Sequence, residues 1–167
     1  MSLSNTLFIM DVDGTLTSGK IIYSSQDEYK TFDVKDGLII KSLSKLGAKI
    51  VLLTGRKSEA VEKRANELNA IAIQGINDKL TELKKILSKK GINECNTVYI
   101  GDDLNDYEAM IICGYKASPF NAVNEIKLIC DYVSPYDGGS GAVRDICERY
   151  LREINKYSDF LDLFHIK

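Results

Sequence analysis

Histidine is almost missing from this chain of 167 residues. The one that occurs, His165, sits in the C-terminal tail, so chemistry built on an imidazole base has almost nothing to use. Paired cysteines are missing too. Cys95, Cys113, Cys130 and Cys147 stand far apart and form no Cys-x-x-Cys pair, which argues against a zinc site or a disulfide framework and for buried free thiols in a reducing cytoplasm. A basic excess is lacking: the net charge is −2, which gives no electrostatic footprint for nucleic acid. No apolar run is long enough to span a membrane, and no signal-peptide pattern stands at the N-terminus. Internal repeats, low-complexity segments and an interdomain linker are absent as well. At 44% hydrophobic residues, positions 1–167 suit one domain with an ample core.

What is present centres on Phe8-Ile9-Met10-Asp11-Val12-Asp13-Gly14-Thr15-Leu16-Thr17. An apolar run ends in two carboxylates two residues apart, then a glycine. This is the pattern of a buried strand that delivers Asp11 to the exit of a sheet. Gly14 lets the backbone turn there and swing Asp13 over Asp11. Such a pair suits a carboxylate nucleophile and a neighbouring acid/base, with a divalent cation beside them. Two close acids in a loop are, on spacing alone, as often solvated turn residues. A calcium loop is excluded, because its twelfth position should be a bidentate Glu and counting from Asp11 the twelfth is Ile22.

Three later stretches strengthen the catalytic reading. Lys49 to Leu53 is a buried strand ending at Thr54-Gly55-Arg56, whose hydroxyl and glycine N–H can hold phosphate oxygens. Lys79 opens an amphipathic helix marked by Leu80, Leu83, Ile86 and Leu87. That is the unfavourable end of the dipole for a cation, so an anionic partner is expected. Thr97 to Ile100 is a strand ending at Gly101-Asp102-Asp103-Leu104-Asn105-Asp106. Three carboxylates crowded into one turn call for a cation or a lysine.

Between these stretches, Lys20 to Tyr23 and Glu28 to Val34 read as a hairpin around the polar turn 24–27, overhanging the site. Asp36-Gly37 breaks the chain before a helix through Leu38, Ile39, Leu43 and Leu46. A helix follows from about Ser58 to Leu68, then a strand at Ile71 to Ile73. Tyr115 to Ser118 is a strand, Asn121 to Ile129 a helix and Tyr132-Val133 a last short strand. Gly138-Gly139-Ser140-Gly141 reads as a flexible connection into a final helix from Ala142 to Leu151. Strands alternating with helices imply a doubly wound parallel sheet, which binds ligands beyond the C-terminal ends of its strands. That arrangement would gather Asp11, Thr54 and the Asp102 cluster in one crevice.

Asp11-Val12-Asp13-Gly14-Thr15, Thr54-Gly55-Arg56, Lys79 and Gly101-Asp102-Asp103-Leu104-Asn105-Asp106 resemble, in order, the four motifs of the haloacid dehalogenase superfamily of phosphatases. Phe32-Asp33-Val34-Lys35-Asp36-Gly37, Thr54 to Ser58, Gln74-Gly75 with Asp78-Lys79, and Gly138 to Arg144 resemble its small sugar-acid phosphatases, typified by those acting on 3-deoxy-D-manno-octulosonate (KDO) 8-phosphate. The resemblance implies an α/β fold with a small hairpin flap and no cap domain. It implies that Asp11 attacks phosphorus, that Asp13 protonates the leaving oxygen and then activates water, and that Thr54 and Lys79 hold the phosphoryl group. Mg²⁺ would be bound by Asp11, the Asp13 carbonyl and Asp102, with Asp103 and Asp106 in support. A homotetramer in which neighbours close each site is implied too. Two features depart from the group: Ser140 stands where its glycine loop often has arginine, and the tail from Lys156 to Lys167 matches nothing in it.

Within that group, enzymes for nine-carbon nonulosonate 9-phosphates tend to carry Glu at the position of Arg56 and Lys at that of Glu67, which turns the reading toward the eight-carbon acid. Arg56 and Arg64, about eight residues apart on a helix, would share a face and offer guanidinium groups to a substrate carboxylate, with Gly55 beside them. Arg64 could equally be a solvated helix arginine, or reach a neighbour's site instead of its own. A phospho-accepting receiver domain is the alternative from another class. It also combines acids, a Thr and a Lys on a doubly wound sheet, but it lacks Asp-x-Asp-Gly at the first strand.

Overall fold

The computed structural model describes residues 3–23 and 28–166. In chain order, β1 (Leu7–Met10) is followed by a small hairpin, β2 (Ile22–Tyr23) with β3 (Glu28–Tyr29), and by α1 (Val34–Lys45). Next come β4 (Lys49–Thr54), α2 (Glu59–Leu68), β5 (Ile71–Gln74) and α3 (Lys79–Lys90). β6 (Thr97–Ile100), α4 (Tyr107–Ile111), β7 (Tyr115–Ser118), α5 (Asn124–Ile129) and β8 (Tyr132–Val133) continue the chain, and α6 (Ala142–Glu153) and α7 (Tyr157–Asp162) close it. Six strands form one parallel sheet in the order β5-β4-β1-β6-β7-β8. The chain runs outward from β1 to β5, then returns to β6 on the other side of β1. The crevice between β1 and β6 is therefore the topological switch point at which such sheets bind ligands.

The central strand is buried on both faces, which is why it reads as a continuous apolar run. Phe8 and Met10 face a core built with α1, α2, α6 and α7, whereas Leu7 and Ile9 face a second core with α3, α4 and α5.

Several local expectations are corrected. Asp36-Gly37 does not break the chain. Asp33 caps α1, accepting hydrogen bonds from the N–H groups of Lys35 (2.6 Å) and Asp36 (3.2 Å), so the helix begins at Val34 and Gly37 lies inside it. The Arg64 guanidinium lies over Gly37, where a Cβ would be. The second hairpin strand is correspondingly short, and the turn 24–27 lies outside the described residues. α5 starts at Asn124 instead of Asn121, because the Asn121 side chain accepts from the Gly138 N–H at 2.9 Å and ties two loops together.

The glycine-rich loop is packed instead of flexible. Gly138 lies against the Gly14 carbonyl, and the Gly139 N–H donates to the Thr15 carbonyl at 3.1 Å. The tail forms α7, with Phe160 buried beneath it and the Arg144 guanidinium 4.9 Å from the Phe160 ring centre. All four cysteines are free. Cys113 and Cys147 are buried as expected, but Cys95 is exposed.

Candidate active site

Asp11 leaves β1 with its N–H bonded to the Ile100 carbonyl of β6 at 2.9 Å, which fixes it at the switch point. Gly14 turns the chain at φ 102°, a conformation that favours glycine, and a Cβ there would strike the Asp102 carboxylate. Lys79 enters from the start of α3, fully buried. Its Nζ lies 2.5 Å from Asp11 Oδ1 and 2.6 Å from Asp106 Oδ1, so these two acids are its anionic partners. Burial alone would lower the Lys79 ammonium, and the two carboxylates more than reverse this, holding it above the usual lysine range.

Asp106 is buried. Its Oδ1 also accepts the Tyr99 hydroxyl at 2.8 Å, and its Oδ2 accepts the N–H groups of Asp102 (3.2 Å) and Asp103 (3.5 Å). Four donors fill the acceptor capacity of one carboxylate. Asp106 thus positions Lys79 and the 101–106 turn. Asp103 is exposed and caps that turn through the Leu104 N–H at 2.7 Å.

Carboxylate oxygens of Asp11, Asp102 and Asp106 lie within 4.8 Å of one another. Burial, and then repulsion from Asp106, push the Asp11 carboxyl well above the usual carboxylate range against the pull of Lys79. Burial likewise pushes Asp102 up to about 6, although Thr15 donates to it at 2.8 Å. Hard oxygen donors that resist ionising together are the chemistry a divalent cation fits. With Asp106 saturated by protein donors, Asp11 and Asp102 are the side chains free to ligate.

Thr54 ends β4, buried, with its Oγ1 accepting from the Arg56 N–H at 3.3 Å. The structure brings Asp13 to Lys30, whose Nζ contacts its Oδ1, and sets Arg56 Nε 4.0 Å from its Oδ2. Arg56 Nη2 meets Glu28 at 2.6 Å and the Tyr23 hydroxyl at 3.1 Å. The helical spacing between Arg56 and Arg64 does not hold, because α2 begins only at Glu59. Nor does Arg64 join this site. Its guanidinium donates to the Asp33 carbonyl and Glu67, both at 3.1 Å, and stacks over Phe32.

Sequence reasoning missed Thr15, Glu28, Lys30 and Tyr99. Thr15 lies within the Asp-x-Asp-Gly-Thr motif, and Tyr99 sits on β6 ahead of the acidic turn, so proximity to a motif was a usable signal for both. Glu28 and Lys30 carried none.

Residues 70–145 match the family model of haloacid dehalogenase-like hydrolases. The KDO 8-phosphate phosphatase of Salmonella typhi is 35% identical over 147 residues, 87% of this chain and 78% of that protein. The chain belongs to the haloacid dehalogenase-like hydrolases, in the family of the KDO 8-phosphate phosphatases. It is a phosphoric monoester hydrolase. Two solved members of the family superimpose closely. The Moraxella catarrhalis enzyme, in complex with magnesium, phosphate and KDO, is 40% identical with a TM-score of 0.91, covering 98% of this chain and 96% of its own. The cobalt-bound Haemophilus influenzae enzyme is 33% identical with a TM-score of 0.87, covering 95% and 94%. Among the described residues no helix is long and apolar enough to cross a membrane.

Proposed function

We propose that this protein hydrolyses KDO 8-phosphate to KDO and inorganic phosphate, with Mg²⁺ as cofactor and an aspartyl phosphate as intermediate. The observation that carries the reading is the switch-point cluster: Asp11 held by buried Lys79 beside Asp102, in a family whose Moraxella member binds magnesium, phosphate and KDO. In the first step an Asp11 oxygen forms a bond to phosphorus while the phosphorus–O8 bond breaks, and Asp13 gives its proton to the departing sugar oxygen. In the second, Asp13 takes a proton from water, the water oxygen bonds to phosphorus, and the Asp11 carboxylate is released with phosphate. Lys79, the Thr54 hydroxyl and the Gly55 N–H hold the phosphoryl oxygens. Asp11, the Asp13 carbonyl and Asp102 hold Mg²⁺, which supplies charge neutralisation on the transferring group when bound. Arg56 receives the substrate carboxylate.

The chain acts as one catalytic domain in which the hairpin replaces a cap, and it works as a homotetramer whose neighbours close each site. Exposed apolar residues on the hairpin and the start of α1, Ile22, Tyr23, Tyr29, Val34 and Leu38, support that assembly. Phosphate release from KDO 8-phosphate, N-acetylneuraminate 9-phosphate and p-nitrophenyl phosphate, with Mg²⁺ or with excess EDTA, tests the function. The eight-carbon substrate should give the highest kcat/KM, and EDTA should abolish turnover. A clear preference for the nine-carbon ester overturns the substrate, and full activity in EDTA overturns the metal. Light scattering that shows a fully active monomer overturns the assembly.

A further inference from the structure

Two cations flank Asp13, and a single carboxylate joins them. Glu28 Oε2 accepts from Arg56 Nη2 at 2.6 Å, while Glu28 Oε1 lies 3.1 Å from Lys30 Nζ. Each oxygen of one carboxylate thus faces a different cation, which is the pair of contacts that the carboxylate of a 2-keto acid would make on entering. We propose that Glu28 is an internal stand-in for the substrate carboxylate: it occupies Arg56 and Lys30 in the free enzyme and is displaced when a phosphorylated sugar acid binds. This rests on the reading that the substrate carries a carboxylate.

Three features support the exchange. The Lys30 side chain is only 1% exposed, and two cations brought together there without enough anions would be costly. Glu28 removes that cost in the resting enzyme, and the Arg56 hydrogen bond holds its carboxyl below the usual carboxylate range. Second, among the described residues the strand of Glu28 pairs as Ile22 with Tyr29 and Tyr23 with Glu28, a short ladder that holds this part of the hairpin weakly. Third, the Arg56 side chain is 41% exposed, so an incoming anion can reach it before Glu28 leaves. Exchange of one carboxylate for another keeps the local charge constant. A phosphate ester without a carboxylate leaves Glu28 seated. Selection for sugar acids then arises by competition as well as attraction.

Steady-state kinetics of the full chain with Mg²⁺, wild type against Glu28→Gln and Glu28→Asp, test this on KDO 8-phosphate and on p-nitrophenyl phosphate. Glu28→Gln should lower KM for KDO 8-phosphate roughly 2- to 5-fold, the scale of a partly exposed ion pair. Its kcat should stay nearly constant, its KM for the aryl ester should stay within about 1.5-fold, and Glu28→Asp should restore the wild-type KM. A KM for KDO 8-phosphate that rises or does not move, or a parallel fall for both substrates, overturns the proposal. A rise is what a residue that merely aligns Lys30 would give. If the wild type hydrolyses the aryl ester but not KDO 8-phosphate, the substrate reading fails by itself. The same comparison with N-acetylneuraminate 9-phosphate, another 2-keto acid, then decides the role of Glu28.

Discussion

Lys79 and Lys30 each lie between two carboxylates, Lys79 between Asp11 and Asp106 at the centre of the sheet and Lys30 between Asp13 and Glu28 under the hairpin. The first cluster is sealed. Its cation comes from a helix packed on the sheet, and its supporting acid is saturated by four donors. The second is held by a two-residue strand and extends to Arg56, which reaches solvent. Phosphoryl transfer needs a preorganised charge pattern that does not relax during the step, and the sealed cluster has that character. Recognition of a leaving group that must arrive and depart needs contacts that open, and the hairpin cluster has that one. The two aspartates of a single motif therefore belong to different mechanical environments.

Substitution of these two aspartates should separate the clusters most widely. Asp11→Asn keeps the shape but removes the proposed nucleophile, so turnover should fall by roughly 10⁴-fold or more with the fold intact. Asp13→Asn should also cripple turnover of the sugar ester, but with p-nitrophenyl phosphate, whose leaving group departs without an acid, only the second step stalls, so phosphoenzyme should accumulate and be seen by mass spectrometry after an acid quench. Near-normal phosphate release from Asp11→Asn would sink the mechanism.

Stability should separate the clusters next. Lys79→Met leaves Asp11 and Asp106 buried without their cation and should cost about 3–5 kcal/mol in urea unfolding, measured in EDTA so that no divalent ion takes its place. Arg56→Ala, at a partly exposed pair, should cost about 0–1 kcal/mol. Equal losses would show that the hairpin cluster is as rigid as the central one.

The sealed cluster was legible in the sequence because its parts follow strands. Asp11, Thr54 and Asp102 each sit where an apolar run stops, and a parallel sheet brings such ends together. Lys79 was legible through a conflict, a cation at the wrong end of a helix, which Asp11 and Asp106 resolve. The hairpin cluster was not legible. Glu28 and Lys30 look like surface residues of a polar strand, and only tertiary contact, of Lys30 with Asp13 after β1 and of Glu28 with Arg56 after β4, gives them partners. Gly37 was misread for the same reason: the Asp33 cap that starts α1 ahead of it, and the Arg64 guanidinium that lies over it from 27 positions away, leave no mark in the local sequence. The helix at 157–162 left little pattern beyond Phe160, since so short an element depends on the surface of α6 for its existence.

A pH-dependent effect is expected at Asp36, which belongs to neither cluster but supports the loop behind the first. It lies on α1, 1% exposed, and its Oδ1 accepts the Arg144 N–H of α6 at 2.7 Å. Its Oδ2 is buried with no hydrogen-bond partner among the described residues. Burial first, and then repulsion from Asp33, raise its carboxyl from 3.8 to about 6, against the backbone N–H groups of Arg144 and Gly141. The sign follows from proton binding. Between about pH 4 and pH 6 the folded chain holds a proton that the unfolded chain has released, so this group lowers stability as pH rises through that window and adds no further slope above it. Asp36→Asn removes the titration while its side-chain oxygen can still accept from Arg144. Relative to wild type, the variant should therefore gain stability between pH 4 and pH 7, by up to about 3 kcal/mol for a rise of this size and by about 1 kcal/mol if the loop relaxes around the charge. Urea unfolding of both proteins at pH 4.5 and pH 7.5 measures the difference. Curves that stay parallel across that interval would mean that Asp36 ionises in the folded protein as readily as in the unfolded chain.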